Sequence, residues 1–212
     1  MKLTWLLLIA SLPAAACADG AEPLPIADAA RDPAWRDLAD QLAPGRTREC
    51  AFEERRYFPF RREPIVLTGE IRIAPGRGLS LRYLTPNPYV LIADSQGLLM
   101  RDATGRDRSP PDDPRARAAI AALVDVLGFD LPGLEKSFIL RGAHQGDHWT
   151  LSFSARDRAL AADLGTLVLT GWRTQLQKIE MIRSANRHID ILIGDTQENV
   201  VFTTDTLSRF FR

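Results

Sequence analysis

Apolar and polar residues alternate through residues 51–101, and this alternation predicts five consecutive strands. The predicted strands are Ala51 to Phe58, Pro64 to Ile73, Leu79 to Leu84, Tyr89 to Ala93 and Leu98 to Arg101. Turns rich in proline, glycine or aspartate separate them. Because the connections are short, neighbouring strands are expected to pair antiparallel, with one apolar and one polar face.

The second half of the chain repeats this type of pattern and predicts five more strands. They are Phe138 to Gly142, Trp149 to Ala155, Leu164 to Trp172, Leu176 to Ser184 and His188 to Gly194. The last residues, from Asn199 to Phe211, predict a strand end or a short helical turn.

Two stretches show helical spacing instead. Asp32 and Pro33 suit a helix start, and Trp35, Leu38 and Leu42 then share one face before Gly45. A second helix is predicted from a cap at Asp113 to a stop at Gly128, followed by a possible single turn at Pro132 to Lys136. The second helix has a wide apolar face, which suits either a plain core helix or a lid over a cavity.

These elements predict an α+β fold that is mostly β. About ten antiparallel strands are more than a flat sheet carries comfortably, so the sheet should curl. Two or three helices would then fill its concave face. Residues 32–212 show no linker and no second composition zone, and so predict a single domain.

The order of several residues in the first meander resembles the LolA-type periplasmic lipoprotein carriers and their LolA-like relatives. The matching positions are Phe52, Gly69, Pro75, Leu79, Leu81, Pro86, Asp94 and Leu98. The resemblance implies an incomplete barrel closed by helices. One departure is clear: the family arginine before the first of these prolines is replaced by Ala74, and Arg77 lies beyond Pro75. The lid-closing role of the family arginine is therefore not assigned to this chain, and whether Arg77 takes over that role stays open.

The N-terminus has the pattern of an export signal. Lys2 is followed by an apolar run from Leu3 to Leu12 and then by small residues, which predicts a signal peptide at residues 1–18 and a flexible lead-in at 19–31. Export to a bacterial periplasm is therefore expected. Cys17 is either removed with the signal or lipidated as a membrane anchor. If Cys17 is removed, Cys50 is a lone thiol, expected to be buried.

Composition and motifs exclude several classes of function. The 27 basic residues balance 27 acidic ones, so no overall field favours nucleic acid. The sequence holds no nucleotide-binding, hydrolase or metal-ligand motif, so no cofactor, metal site or catalytic residue is predicted. Glu53 and Glu54 should point to opposite faces. His188 and Asp190 should lie on the same face of their strand, so a periplasmic hydrolase that uses this pair is an alternative.

The remaining candidate is an apolar cavity on the concave face. Its predicted lining is Phe52, Ile65, Leu67, Ile71, Ile73, Leu79, Leu81, Tyr83, Leu91, Leu98 and Met100, with Ile120, Leu123, Val124 and Leu127 from the second helix. The competing interpretation is that these residues are a solid core.

The sequence and the resemblance together predict a carrier that shields a lipoprotein acyl chain, a lipid or a polyene-like amphiphile between the inner and outer membranes. The resemblance implies an inner-membrane ABC-type release complex and an outer-membrane acceptor as partners, and a monomer is expected. The alternative of the same fold is an envelope lipoprotein or acceptor anchored through Cys17.

Overall fold

The computed structural model describes residues 22–29, 31–43, 45–108 and 124–212. Within these residues one antiparallel sheet holds thirteen strands, three of which are only two residues long. The strands are β1 (Leu24–Pro25), β2 (Arg48–Arg56), β3 (Ile65–Ala74), β4 (Gly78–Thr85), β5 (Tyr89–Asp94), β6 (Gly97–Asp102), β7 (Asp107–Arg108), β8 (Phe138–Gln145), β9 (His148–Ala155), β10 (Thr166–Trp172), β11 (Gln175–Ser184), β12 (Arg187–Ile193) and β13 (Gln197–Glu198). All ten predicted strands are present.

The helices are α1 (Pro33–Leu42), α2 (Leu131–Leu134), α3 (Arg158–Leu164) and α4 (Thr204–Phe210), and residues 124–127 are also helical. The Asp32 side chain caps α1 by accepting from the Ala34 amide, as the sequence predicts. The start predicted at Asp113 and most of the second helix lie outside the described residues. None of the described helices is long and apolar enough to cross a membrane.

The two halves of the chain join in the middle of the sheet. Its strand order is β1-β8-β9-β10-β11-β12-β2-β3-β4-β5-β6-β7, with β13 also pairing β2. The sheet is not closed, which confirms the predicted incomplete barrel. The β12–β2 pairing is the seam, with Ile193 opposite Phe52 and Ile189 opposite Arg56.

One core lies on the concave face. In β3 the residues at 67, 69, 71 and 73 face inward, and their partners in β2 and β4 continue the same surface. Helix α1 covers the other half of that surface, where its Trp35 ring sits against Gly142 of β8. Trp35, Leu38 and Leu42 are buried, as the spacing predicts.

Three features differ from the sequence-based expectations. The lead-in contains β1, whose Leu24 pairs with Gly142. The short helix α3 replaces the expected start of a strand at Leu164, because Asp157 caps a helix there by accepting from the Leu160 amide. Helix α4 does not join the concave lid.

Helix α4 lies on the convex face instead. The Phe210 ring stacks under the guanidinium of Arg72, 4.2 Å away, and Arg72 points outward from β3. Arg101 of β6 donates to the carbonyls of Ser208 and Arg209 at 2.8 and 2.9 Å. Phe211 is fully buried, so the C-terminal segment builds a second, smaller core on the outside of β3–β6.

Candidate ligand-binding cavity

A cavity of about 350 Å³ lies on the concave face where the two halves of the sheet meet. Its apolar and thiol lining consists of Leu42, Cys50, Ile71, Ile73, Leu127, Phe129, Leu176 and Ile193. Its polar lining consists of Arg48, Thr174, Gln175, Thr196 and Glu198. The volume falls near the lower end of the roughly 300–1,000 Å³ range of small-molecule pockets.

Strand register explains why these side chains meet. Cys50 pairs with Ile71 and Arg48 pairs with Ile73, so alternate residues of β2 and β3 face the same space. Across the seam, Ile193 pairs with Phe52 and brings β12 to the same wall. The cavity is therefore assembled from residues more than a hundred positions apart, from both halves of the chain.

A second hollow of about 280 Å³ continues the first along β3. Ile73 and Leu127 contact both cavities. The second hollow is further lined by Ala74, Pro75, Gly76, Gly78, Leu79, Ala93, Asp94, Ser95, Val124 and Gly128. Val124 and Leu127 thus place the helical residues 124–127 against these two adjoining cavities, which together we call the trough.

Arg48 is the buried cation at the polar wall. Its guanidinium donates to the carbonyls of Leu42 and Gln41 and to the carboxylate of Glu198, 3.0 Å from Nε. These contacts fasten α1 to β2 and β13 and neutralise the charge within the protein. The wall therefore offers amide, hydroxyl and thiol groups rather than an unpaired cation.

Cys50 contributes a thiol to the cavity wall. Burial raises the pKa of its thiol above the ordinary value of 9.0, and a hydrogen bond with Thr196 offsets part of that rise. Among the described residues the Cys50 thiol is free, and it is half-buried rather than buried as expected. Cys17 lies outside the described residues.

The predicted site residues divide into four groups. Ile71, Ile73, Leu79, Val124 and Leu127 line the two cavities. Phe52, Leu67, Leu81, Tyr83 and Leu91 face inward but are buried in the core beside them, while Ile65, Leu98 and Met100 are half-buried. Ile120 and Leu123 lie outside the described residues.

Sequence reasoning missed the contribution of the second half of the chain. Leu176 and Ile193 line the first cavity, as do Leu42 of α1 and Phe129 after the second helix. Part of this wall could be recognised from the sequence. Ile189, Ile191 and Ile193 alternate with polar or outward residues, as the apolar residues of β3 do. Only the β12–β2 pairing, which joins distant segments, shows that the two apolar faces form one wall.

A buried polar cluster occupies the other end of the concave face. Glu54 is 3% exposed and accepts from the Tyr83 hydroxyl at 2.7 Å and from Arg56 Nε at 2.5 Å. Burial, followed by the negative charge of Glu54, raises the pKa of Tyr83 far above its ordinary range. Glu53 points outward, as predicted, and pairs with Arg55. The sequence clue to this cluster was the Glu54–Arg56 spacing on one strand face.

Two of the histidines pack on aromatic rings. His188 stacks on Tyr57, with 4.1 Å between ring centroids, and its Nε2 lies 4.0 Å from Asp190 Oδ1 on the convex face. Asp190 also pairs with Lys178. His144 packs on Trp35. Among the described residues no cluster of three or more histidine, cysteine or acidic side chains is placed to hold a metal ion.

Comparison with known proteins returned structural likenesses only. No protein-family model matches the chain, and no curated protein matches it. A chain of the MucA/MucB complex of Pseudomonas aeruginosa is similar at 14% identity and a TM-score of 0.48, covering 81% of this chain and 60% of that chain. A structure of MucB in complex with MucA(peri) gives 14% identity and a TM-score of 0.47, covering 85% and 59%.

The solved structures also include a LolA superfamily protein from Nitrosomonas europaea. It is 9% identical with a TM-score of 0.41, and the match covers 81% of this chain and 94% of that chain. The chain spans about three fifths of the MucA/MucB-complex chains that it matches. All three TM-scores lie below 0.5 and all three identities are 14% or lower, so these likenesses carry no argument about the family or the function of this chain.

Proposed function

We propose that this protein is a periplasmic carrier that binds one acyl chain of a lipid-modified protein, or another slender amphiphile, and moves it between the inner and outer membranes. The observation that supports the proposal is the elongated apolar trough on the concave face, formed by two adjoining cavities of about 350 and 280 Å³. No catalytic step and no cofactor belong to this proposal.

The chemistry of the trough suits an alkyl chain. Each methylene moved from water into an apolar wall contributes about 0.8 kcal/mol, so a chain of moderate length offsets the cost of association without any ionic contact. Because Arg48 is already paired with Glu198 and two carbonyls, the polar wall suits an uncharged ester or amide link better than a free carboxylate.

The sequence supports the proposal that the protein moves its ligand between the two membranes. The apolar run Leu3 to Leu12 behind Lys2 supports export to the periplasm. An inner-membrane ABC-type release complex and an outer-membrane acceptor are the partners that the LolA resemblance implies. If Cys17 is lipidated, the same cavity would belong to an anchored acceptor, and the mass of the mature N-terminus separates the two forms.

Filling the trough tests the proposal directly. Ile73 contacts both cavities, so Ile73→Trp should weaken binding of a fluorescent fatty-acyl probe at least tenfold while the protein stays folded. Val66 lies on the same strand but faces out and is 47% exposed, so Val66→Trp is the matched control and should bind the probe normally. Failure of the unmodified protein to bind any acyl probe would overturn the proposed function.

A further inference from the structure

One end of the sheet gathers a set of loops that the cavity does not use. The register places the connections at residues 57–64, 86–88, 103–106, 135–137, 156–157 and 185–186 at this end, because Arg56 pairs with Ile65, Tyr89 with Asp102, Ile182 with His188 and Phe138 with Ala155. We call it the 57–64 end. The cavity-lining residues Thr174, Gln175 and Glu198 lie at the opposite end.

Exposed apolar side chains concentrate at the 57–64 end. In the described part of the chain seven large hydrophobic residues are exposed, and five of them lie here. They are Phe60 at 81% exposure, Val66 at 47%, Ile139 at 47%, Ile182 at 37% and Leu84 at 36%. The Phe60 ring stacks on Phe58, with 5.4 Å between centroids, so the aromatic tip is supported as it projects.

Positive charge concentrates at the same end. The six connections carry five basic residues and three acidic ones, although the whole chain is neutral. Arg61 and Arg62 follow Phe60 directly, are exposed, and form no ion pair with any residue that the structure describes. Elsewhere the exposed arginines Arg46 and Arg173 are paired with carboxylates.

An exposed aromatic ring beside unpaired guanidinium groups matches one kind of partner. A bilayer surface presents phosphates at the level of the arginines and a less polar layer just beneath, where aromatic rings are stable. We propose that the 57–64 end docks on a bilayer that contains anionic phospholipid, with Phe60 among the headgroups and Arg61 and Arg62 at their phosphates. Docking of this kind leaves the cavity at the far end accessible and does not depend on the proposed carrier function.

Vesicle flotation tests the docking surface. The full mature chain should float with vesicles of phosphatidylcholine and phosphatidylglycerol, much less with phosphatidylcholine alone, and less at high salt. The double variant Arg61→Gln/Arg62→Gln should partition about 25-fold more weakly, at about fivefold for each arginine. Phe60→Ser should also weaken partition severalfold.

Two control variants test whether the loss of vesicle binding is specific to the 57–64 end. Val201→Ser removes an apolar side chain that is 90% exposed outside the 57–64 end, and Arg77→Gln removes an exposed arginine from the β3–β4 turn at the other end. Both should float like the unmodified protein, and the Arg61→Gln/Arg62→Gln, Phe60→Ser and Val201→Ser variants should bind the acyl probe normally. Absence of flotation with anionic vesicles at low salt, or equal flotation of the unmodified protein and the double variant, would overturn the proposal even if a protein partner bound this end.

Discussion

The ring of Phe52 lies directly over the backbone of Gly69, its partner across the β2–β3 pair. A Cβ atom on Gly69 would lie 2.5 Å from two carbons of that ring and 2.3 Å from the Arg82 carbonyl oxygen. The same ring meets Tyr83 edge-on, with 5.2 Å between centroids. Phe52 therefore separates the apolar trough from the buried Glu54 cluster at the other end of the concave face.

Replacing Gly69 should disturb this arrangement. Gly69→Ala forces either the ring or the strand backbone to move, and overpacking of this kind costs about 1–3 kcal/mol of the free energy of unfolding. Urea denaturation measures the change. Gly45→Ala is the control, because nothing lies within 4 Å of a Cβ there, and it should be neutral or slightly stabilising. Equal losses at both positions would contradict the close approach.

Shortening Phe52 should lengthen the trough. In Phe52→Leu the barrier next to Cys50 and Ile193 becomes smaller, so the preferred acyl chain should become longer by a few carbons. Titration of a series of acyl probes of increasing length against both proteins measures the preference. If Phe52→Leu still binds the probes and prefers the same acyl-chain length, Phe52 does not set the depth of the trough.

The Cys50 thiol reports occupancy of the cavity. Because burial raises its pKa above 9.0, alkylation should be slow near neutral pH and should accelerate only above the pH range of an ordinary cysteine. A bound acyl chain should slow alkylation of Cys50 further. In Ile73→Trp, adding the acyl probe should no longer slow alkylation. Mass spectrometry after timed alkylation gives the rates. A bound probe that leaves the Cys50 rate unchanged would place the ligand elsewhere.

The strands could be predicted because their signal is local. Alternation in Ile65 to Ile73 and in Ile189 to Ile193 is visible within a few residues, and the cap at Asp32 is equally local. The residues that line the cavity are far apart in the sequence. Ile71 and Leu176 share a wall only because β12 pairs with β2. The predicted lining therefore includes Ile71 and Ile73 of β3. It does not include Arg48 and Cys50 of β2 or the wall made by β11 and β12.

The convex face shows a second limit. Phe210 and Phe211 read as a strand end or helical turn, and nothing in their spacing indicates that they cover the outside of the sheet. The contacts that hold them, Arg72 stacked on Phe210 and Arg101 bonded to the α4 carbonyls, join residues far apart in sequence. Similarly, α3 is too short for its apolar periodicity to be distinguished from a strand start.

Acid should destabilise the convex face through Glu70. Its pKa is lowered from 4.5: burial alone would raise it, but hydrogen bonds and ion pairs with Arg72 and Arg82 outweigh that effect. A lowered folded-state pKa contributes stability that is present above pH 4.5 and lost as pH falls through the folded value. Glu70→Gln should therefore flatten the fall in unfolding free energy below pH 4.5, measured by urea denaturation. An equally steep fall in the variant would assign the acid sensitivity to other carboxylates.

The central claim is that the trough along β3 holds an amphiphile in the cell. Native mass spectrometry of the protein isolated from the periplasm without detergent tests it most directly. We expect a species heavier than the bare chain by the mass of one lipid-like molecule, and we expect Ile73→Trp to carry only the bare mass. Bare protein in both samples, together with no uptake of added acyl probe, would contradict the account.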